Sequence, residues 1–251
     1  MTRHVTTMTI EDAPHISEAR RAEIIASYPP HEVEARTKGI PVLGSGRIFP
    51  VTEESITVEA FPIPRHWALI GGMDFGWDHP TAAVVLAWDR DSDVIYVAAA
   101  YKRAKATPLE HAVALKPWGG FPWAWPHDGL HSMKDGGKSF RDQYTEAGLK
   151  MLDVHATHPD GGYGVEAGIS EMLNRMQTGR FKAFAHLVDW WAEFRLYHRR
   201  DGKIFKERED LMDATRTGLM MKRFAESPDV YDADTWSNDH GQHGRSEATG
   251  Y

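Results

Sequence analysis

Three apolar runs in close succession constrain the fold of this chain more than any other feature of its sequence. They cover residues 68–76, 81–90 and 94–103, and each combines Ala, Val, Ile, Leu or Met. The turns between them contain Asp, His, Pro or Ser and are too short for a crossover helix. Strands joined by such short turns pair antiparallel, so the pattern predicts a three-strand meander.

After the meander, helical and strand-like patterns alternate along the chain. Helical patterns cover residues 108–115, 139–148, 166–178, 187–198 and about 210–224, and short apolar runs cover residues 121–129, 151–154 and 181–185. A meander followed by such alternation predicts a mixed sheet with helices on its faces. We therefore expect an α/β fold in the ribonuclease H arrangement, with the helically spaced Trp190, Trp191 and Phe194 in its core.

Composition divides the chain into three parts. Residues 1–60 are polar, with helical patterns at 17–27 and 31–37, and are predicted to form a connecting or lid segment. Residues 61–225 are predicted to form the folded domain, and residues 226–251 a disordered acidic tail. The sequence has neither the roughly 20-residue apolar run of a membrane span nor an apolar signal core. We therefore expect a cytoplasmic protein without a membrane partner.

The net charge of −7 argues at first against a nucleic-acid partner, but the charge is unevenly distributed. The tail holds most of the negative excess, whereas residues 175–208 contain nine basic and four acidic residues. Such a basic segment is suited to holding a polyanion, with a solvated helix face as the alternative explanation. The candidate DNA contacts are Arg199, Arg200 and Lys203 in this segment and Lys134, Lys138 and Arg141 in a Gly-rich loop.

Four aspartates are the candidate site residues. Asp74 ends the first run of the meander, where a lone buried carboxylate would be costly and needs a partner. Asp128 ends the apolar run 121–129, and Asp210 and Asp213 lie three residues apart, on one face of the last helix. The structural alternatives are turn formation for Asp74 and Asp128 and helix capping for the last two.

Acids at two strand ends and on a packed helix would converge on one point, as a two-metal nuclease requires. The chain contains no cysteine, so a metal would have to bind carboxylates or histidines. Hard oxygen ligands favour Mg²⁺ or Mn²⁺, and we expect two ions. A zinc site on His127, His131, His155 and His158 is a weaker alternative, because the spacing is loose. The Gly137-Lys138-Ser139 tract lacks the first glycine of a P-loop, so no ATPase site is expected.

The spaced motifs, taken together, resemble the nuclease domain of the large terminase subunits of tailed bacteriophages. The motifs are Met73-Asp74-Phe75-Gly76 with His79-Pro80-Thr81, Pro126-His127-Asp128-Gly129, and Arg208-Glu209-Asp210-Leu211-Met212-Asp213-Ala214. Residues 11–15 and 44–50 look like the stretch that joins the packaging ATPase to that nuclease, so the resemblance covers most of residues 1–225. The tract departs from the family's pattern at Thr217-Gly218, where an aromatic residue is expected.

The resemblance implies a ribonuclease H/RuvC-like fold and an endonuclease that cuts concatemeric double-stranded viral DNA during genome packaging. It makes Asp74 and Asp128 metal ligands from two strands, together with Asp213 or Asp210 from the helix. We expect Asp74, Asp128 and Asp213 to be catalytic and Asp210 to be a further metal ligand. It also implies a portal ring, a small terminase subunit and an upstream packaging ATPase domain as partners, in the cytoplasm of an infected bacterium. The chain is then a C-terminal fragment or a separately encoded nuclease portion.

Two other functions stay open at this point. A RuvC-like resolvase or nuclease on branched DNA would use the same acids but would prefer junctions to linear duplexes. A non-catalytic module that docks on a portal ring would use the basic segment and the acidic tail as protein contacts.

Overall fold

The computed structural model describes residues 9–10, 13, 15–27, 37, 46–130, 137–200, 203–205 and 209–227. In the first part of the chain, helix α1 (Glu18–Ala26) begins after Ser17, whose hydroxyl accepts a hydrogen bond of 3.3 Å from the Arg20 amide. This confirms the first predicted helix. The predicted helix at residues 31–37 falls almost entirely outside the described residues, as does nearly all of the tail.

A six-stranded mixed sheet forms the centre of the domain. Its strands are β1 (Thr57–Val58), β2 (Ala68–Asp74), β3 (Thr81–Asp89), β4 (Val94–Arg103), β5 (Trp123–Ala124) and β6 (Phe181–Phe184), in the order β1-β6-β4-β3-β2-β5. Strands β2, β3 and β4 pair antiparallel, which confirms the predicted meander. Strand β5 runs parallel to β2, and β6 runs parallel to β4 and β1. The α/β fold class predicted from the sequence is therefore confirmed.

Helices flank this sheet, as the alternating pattern predicts. They are α2 (Glu53–Ile56), α3 (Pro108–Leu115), α4 (Phe140–Glu146), α5 (Val165–Gln177), α6 (Val188–Leu196) and α7 (Asp210–Met220), with a small hairpin of β7 (Arg199–Arg200) and β8 (Lys203–Ile204). The predicted strand at residues 151–154 is reduced to one bridge between Met151 and Trp123. None of the helices within the described ranges has the length and apolarity to cross a membrane.

The core surrounds β3, which lies between β2 and β4 and is buried along nearly its whole length. The predicted core aromatics of α6 are buried as well. The Trp190 indole donates a hydrogen bond of 3.0 Å to the Thr215 hydroxyl of α7, and the Trp191 indole donates one of 3.0 Å to the Phe184 carbonyl. Helix α6 is thereby tied both to α7 and to the sheet.

Helix α7 lies directly on β2 because a glycine stands on each side of the contact. A Cβ atom added at Gly72 would lie 2.2 Å from the Ala214 carbonyl oxygen and 2.7 Å from the Gly218 nitrogen. A Cβ added at Gly218 would lie 3.2 Å from the Gly72 Cα. In this packing an aromatic side chain at position 218 would meet β2.

We expect Gly72→Ala to lower the free energy of unfolding by roughly 1–3 kcal/mol or more, because the added methyl group meets the rigid backbone of α7. Urea denaturation of the wild-type and variant chains would measure the loss. Gly120→Ala is the matched control, because nothing lies within 4 Å of a Cβ added there. Equal stability of the two variants would contradict the close contact between β2 and α7.

Candidate functional site

The pairing register places Asp74 and Lys102 in one row across the sheet. Asp74 of β2 is paired with Ala82 of β3, and Ala82 is paired with Lys102 of β4. Directly paired residues point to the same face of a sheet, with Cα atoms roughly 4.5–5.5 Å apart per strand pair. Only the methyl group of Ala82 therefore separates the acidic and the basic side chain. Gly72 has its Cβ position on the same face, so this is the face that α7 covers.

The first turn of α7 brings two more aspartates to this row. Glu209 occupies the N-cap position and makes no side-chain cap, so Asp210 is not the N-cap that the sequence offers as an alternative. Asp210 is buried, and its Oδ2 lies 3.1 Å from the Lys102 ammonium. Asp213 is partly exposed and lies 3.2 Å from the guanidinium of Arg216, three residues further along the helix.

Asp128 reaches the same region from β5. It lies in a single-turn 3-10 helix (His127–Leu130) that follows the strand, rather than at the strand end itself. A Cβ added at Gly129 would lie 2.6 Å from the Phe75 ring, so the glycine lets this turn fold back onto the residue after Asp74. Asp128 is exposed, which leaves this side of the cluster open to solvent.

The pKa of the Asp74 carboxyl responds to the other three aspartates. Burial raises the pKa of the Asp74 carboxyl well above its ordinary value of 3.8, and the charges of Asp213, Asp128 and Asp210 raise it further, in that order. The Arg216 guanidinium has the opposite, smaller effect. The structure thus brings all four predicted aspartates into one electrostatic cluster, which we call the acidic centre.

The donor chemistry of the acidic centre fits a divalent cation that prefers oxygen ligands. Clustered carboxylates repel one another until a cation offsets their charge. Across the described ranges, no three His, Asp or Glu side chains are already close enough together to hold an ion. Part of the acidic charge is instead taken by Lys102 and Arg216.

The histidines do not form the alternative zinc site within the part of the chain that the structure describes. The His127 and His155 rings pack against each other, with centroids 4.7 Å apart, and His127 also stacks on Tyr163. The His158 Nε2 is 3.1 Å from the Gly164 carbonyl oxygen. His131 lies outside the described residues.

Two residues of the site, Lys102 and Glu193, escaped the sequence analysis. The Lys102 ammonium contacts the buried Glu193 carboxylate, whose Oε2 accepts a hydrogen bond of 2.6 Å from the Leu211 amide. Burial raises the pKa of Glu193, and Lys102 opposes that effect. Burial lowers the pKa of Lys102, but Glu193 and Asp210 together raise it above 10.5. The sequence signals are a lysine near the end of an apolar strand and a single glutamate in an aromatic helix.

Most of the basic residues proposed to contact DNA have partners within the chain. Lys138 pairs with Glu146, and Arg141 with Asp142 and Asp153. In the basic segment, the ion pairs join Arg175 and Arg180 to Asp93, Arg195 to Glu53, and Arg199 to Glu166. Arg200 lies over the Phe205 ring, and Lys203 is exposed. Lys134 falls outside the described residues.

Comparison with known proteins identifies relatives that match most of the chain. Residues 71–222 match the family model described as terminase RNaseH-like domain, and residues 1–56 match that of terminase large subunit, T4likevirus-type, N-terminal. The large terminase subunit of Salmonella phage P22 is 50% identical over 223 residues, which are 88% of this chain and 45% of that protein. This chain therefore spans less than half the length of that relative.

Solved structures agree with this relationship. The P22 large terminase nuclease domain superposes with a TM-score of 0.69 and 48% identity, covering 73% of this chain and 95% of that domain. The g2p (large terminase) nuclease domain from bacteriophage SPP1, solved with bound Mn, has a TM-score of 0.50 and 17% identity. That match covers 66% of this chain and 95% of the SPP1 domain, and it is a likeness of fold.

We expect Asp74→Asn to raise the melting temperature by a few degrees at pH 7–8 in buffer with EDTA. The pKa of Asp74 is higher in the folded chain than its ordinary value of 3.8, so the wild type loses stability as the pH rises above 3.8 and through the folded-state pKa. The difference between variant and wild type should therefore shrink as the pH falls toward 4. Asp78→Asn, at an exposed position in the following loop, is the control and should change nothing. A lower melting temperature in Asp74→Asn would indicate a structural turn role.

Proposed function

The chain belongs to the family of terminase RNaseH-like domains, and on that premise we propose that residues 61–225 act as a metal-dependent endonuclease on double-stranded DNA. The observation that carries this proposal is the acidic centre. Burial raises the pKa of Asp74 at the end of β2, and the carboxylates of the first turn of α7 and of the turn after β5 raise it further. A nuclease that depends on divalent metal needs such a set of oxygen donors.

In this proposal Asp74, Asp128 and Asp213 are the catalytic ligands, and Asp210 is a further ligand. When bound, two Mg²⁺ or Mn²⁺ ions would polarise the scissile phosphate and lower the pKa of the attacking water. Asp74 is held rigidly because β2 lies between β3 and β5. Asp128 is exposed, so a phosphodiester has an open approach from its side. The Mn bound to the SPP1 nuclease domain is consistent with this choice of metal.

The proposed DNA contacts lie on two surfaces. One is the hairpin of β7 and β8. Its Arg199 pairs with Glu166, whereas Arg200 and Lys203 make no ion pair with another described residue. The other holds Lys138, just before α4, and Arg141, in the first turn of α4. Lys134, from the same predicted loop, lies outside the described residues and stays a prediction. Side chains that contact phosphates carry no base readout, so we expect little sequence preference.

In the whole packaging system, we propose that the substrate is concatemeric viral DNA, cut as genomes enter procapsids. Residues 1–60 would then be the end of an ATPase region and its linker, and residues 226–251 would be an acidic tail. The partners would be the upstream ATPase domain, the small terminase subunit and the portal ring. The place of action would be the cytoplasm of the infected bacterium. These assignments are supported by the large terminase relatives.

We expect Asp74→Asn and Asp213→Asn each to reduce plasmid cleavage by roughly 100-fold or more, because ligand loss should cost at least as much as loss of an outer-shell partner. Calorimetric titration with Mn²⁺ should show the matching loss of binding, and EDTA should abolish cleavage by the wild type. Asp78→Asn should retain both properties. Asp210→Asn should weaken Mn²⁺ binding less than Asp213→Asn does.

Two outcomes would overturn this proposal. A folded wild-type chain that binds no Mn²⁺ and leaves plasmid, linear duplex and four-way junction DNA uncut would favour the portal-docking module. Preferential cutting of four-way junctions would favour the resolvase.

We expect the double variant Arg200→Glu/Lys203→Glu to weaken duplex binding and to reduce the slope of log affinity against log salt by about two, because each lost phosphate contact removes about one released counterion. Fluorescence anisotropy over a salt series would measure the slope. Arg90→Glu/Lys150→Glu is the charge-matched control, since Arg90 contacts Ala225 and Lys150 contacts Glu226, which bridges Leu69 near the start of β2 and away from Asp74. An equal loss in both variants would mean that net charge alone is responsible.

A further inference from the structure

Lys102 is the cation that two buried carboxylates share. Its ammonium contacts Glu193 and lies 3.1 Å from Asp210 Oδ2. The side chains of Glu193 and Asp210 are only 3% and 9% exposed, and that of Lys102 is 23% exposed. Buried charges of this kind must be paired, because an unpaired charge is strongly unfavourable away from water.

The same contact limits what Asp210 can do. After burial, Asp213 and Asp128, the Asp210 carboxylate is a further cause of the raised pKa of Asp74, so it belongs to the acidic centre. A carboxylate oxygen that faces a lysine ammonium is screened from a second cation, because the two cations repel each other at short range. Lys102 and a divalent ion therefore compete for one oxygen.

We propose that Lys102 is an internal competitor for the divalent ion at Asp210, so that the acidic centre binds metal more weakly than its carboxylates alone would. This inference rests on the proposed function and adds to it how the metal affinity of the acidic centre is set. Lys102 acts through Asp210 and is thus a positioning residue. It sets how much metal the centre holds at a given concentration.

Glu193 makes the exchange possible without leaving a buried charge alone. The Leu211 amide donates a hydrogen bond of 2.6 Å to Glu193 Oε2, which holds the Glu193 carboxylate at the start of α7. If Asp210 turns from Lys102 toward a metal ion, the ammonium keeps Glu193 as its partner. The exchange thus involves two anionic partners of Lys102, namely Glu193 from α6 and Asp210 from α7.

The test is calorimetric titration of the full chain with Mn²⁺ at pH 8. We expect Lys102→Met to tighten Mn²⁺ binding roughly tenfold, since one nearby positive charge is removed. Glu193→Gln should weaken binding several-fold, because the ammonium then has Asp210 as its only anionic partner. Lys102→Arg should keep the wild-type affinity. Arg103→Met is the matched control, because Arg103 is the next residue and pairs with Glu110 at the surface.

A second readout separates competition from a merely structural role. Lys102→Met should melt below the wild type in EDTA, and saturating Mn²⁺ should raise its melting temperature more than it raises that of the wild type. Unchanged or weaker Mn²⁺ binding by Lys102→Met, beside normal binding by the wild type, overturns the inference and leaves the proposed function standing. If that variant does not fold, unchanged or tighter binding by Glu193→Gln overturns the inference. No Mn²⁺ binding by the wild type overturns both.

Discussion

The contact between the backbones of β2 and α7, with Gly72 on the strand and Gly218 on the helix, is the constraint on which the site depends. With no side chain between them, strand and helix approach to a distance that a single methyl group would prevent. That distance fixes how far the first turn of α7 lies above the sheet. Asp74 is two residues from Gly72 on the same face, so the first turn of α7, with Asp210 and Asp213, lies on the same side of the sheet as Asp74.

The same packing brings carboxylates close to one another, and basic side chains offset part of their charge. Burial and three neighbouring carboxylates act against the ionised form of Asp74. Lys102 and Arg216 each pair with one acid of α7, which reduces the repulsion but also engages the oxygens that a metal would need. Under the proposed function, the acidic centre is a compromise between stability without metal and affinity for metal.

The basic segment shows that the number of basic residues in a sequence differs from the positive charge that the folded surface presents. Nine basic residues between positions 175 and 208 suggest a strong attraction for DNA. In the folded chain four of the arginines are held by Asp93, Glu53 and Glu166, so their charge is offset by acids from distant elements. The positive field at the surface is then weaker than the count of basic residues indicates.

The sequence alone determined the elements and the candidate acids, because both depend on local patterns. Alternating and helical periodicities, together with turn residues, predicted the meander and the helices, and Asp74, Asp128, Asp210 and Asp213 were each found at the end or start of an element. Only the tertiary structure decided which charges meet. Lys102 and Glu193 are 91 positions apart, and no local period relates them. Strand register and helix packing join them, since these are properties of whole elements in contact, which a single sequence does not encode in its neighbouring residues.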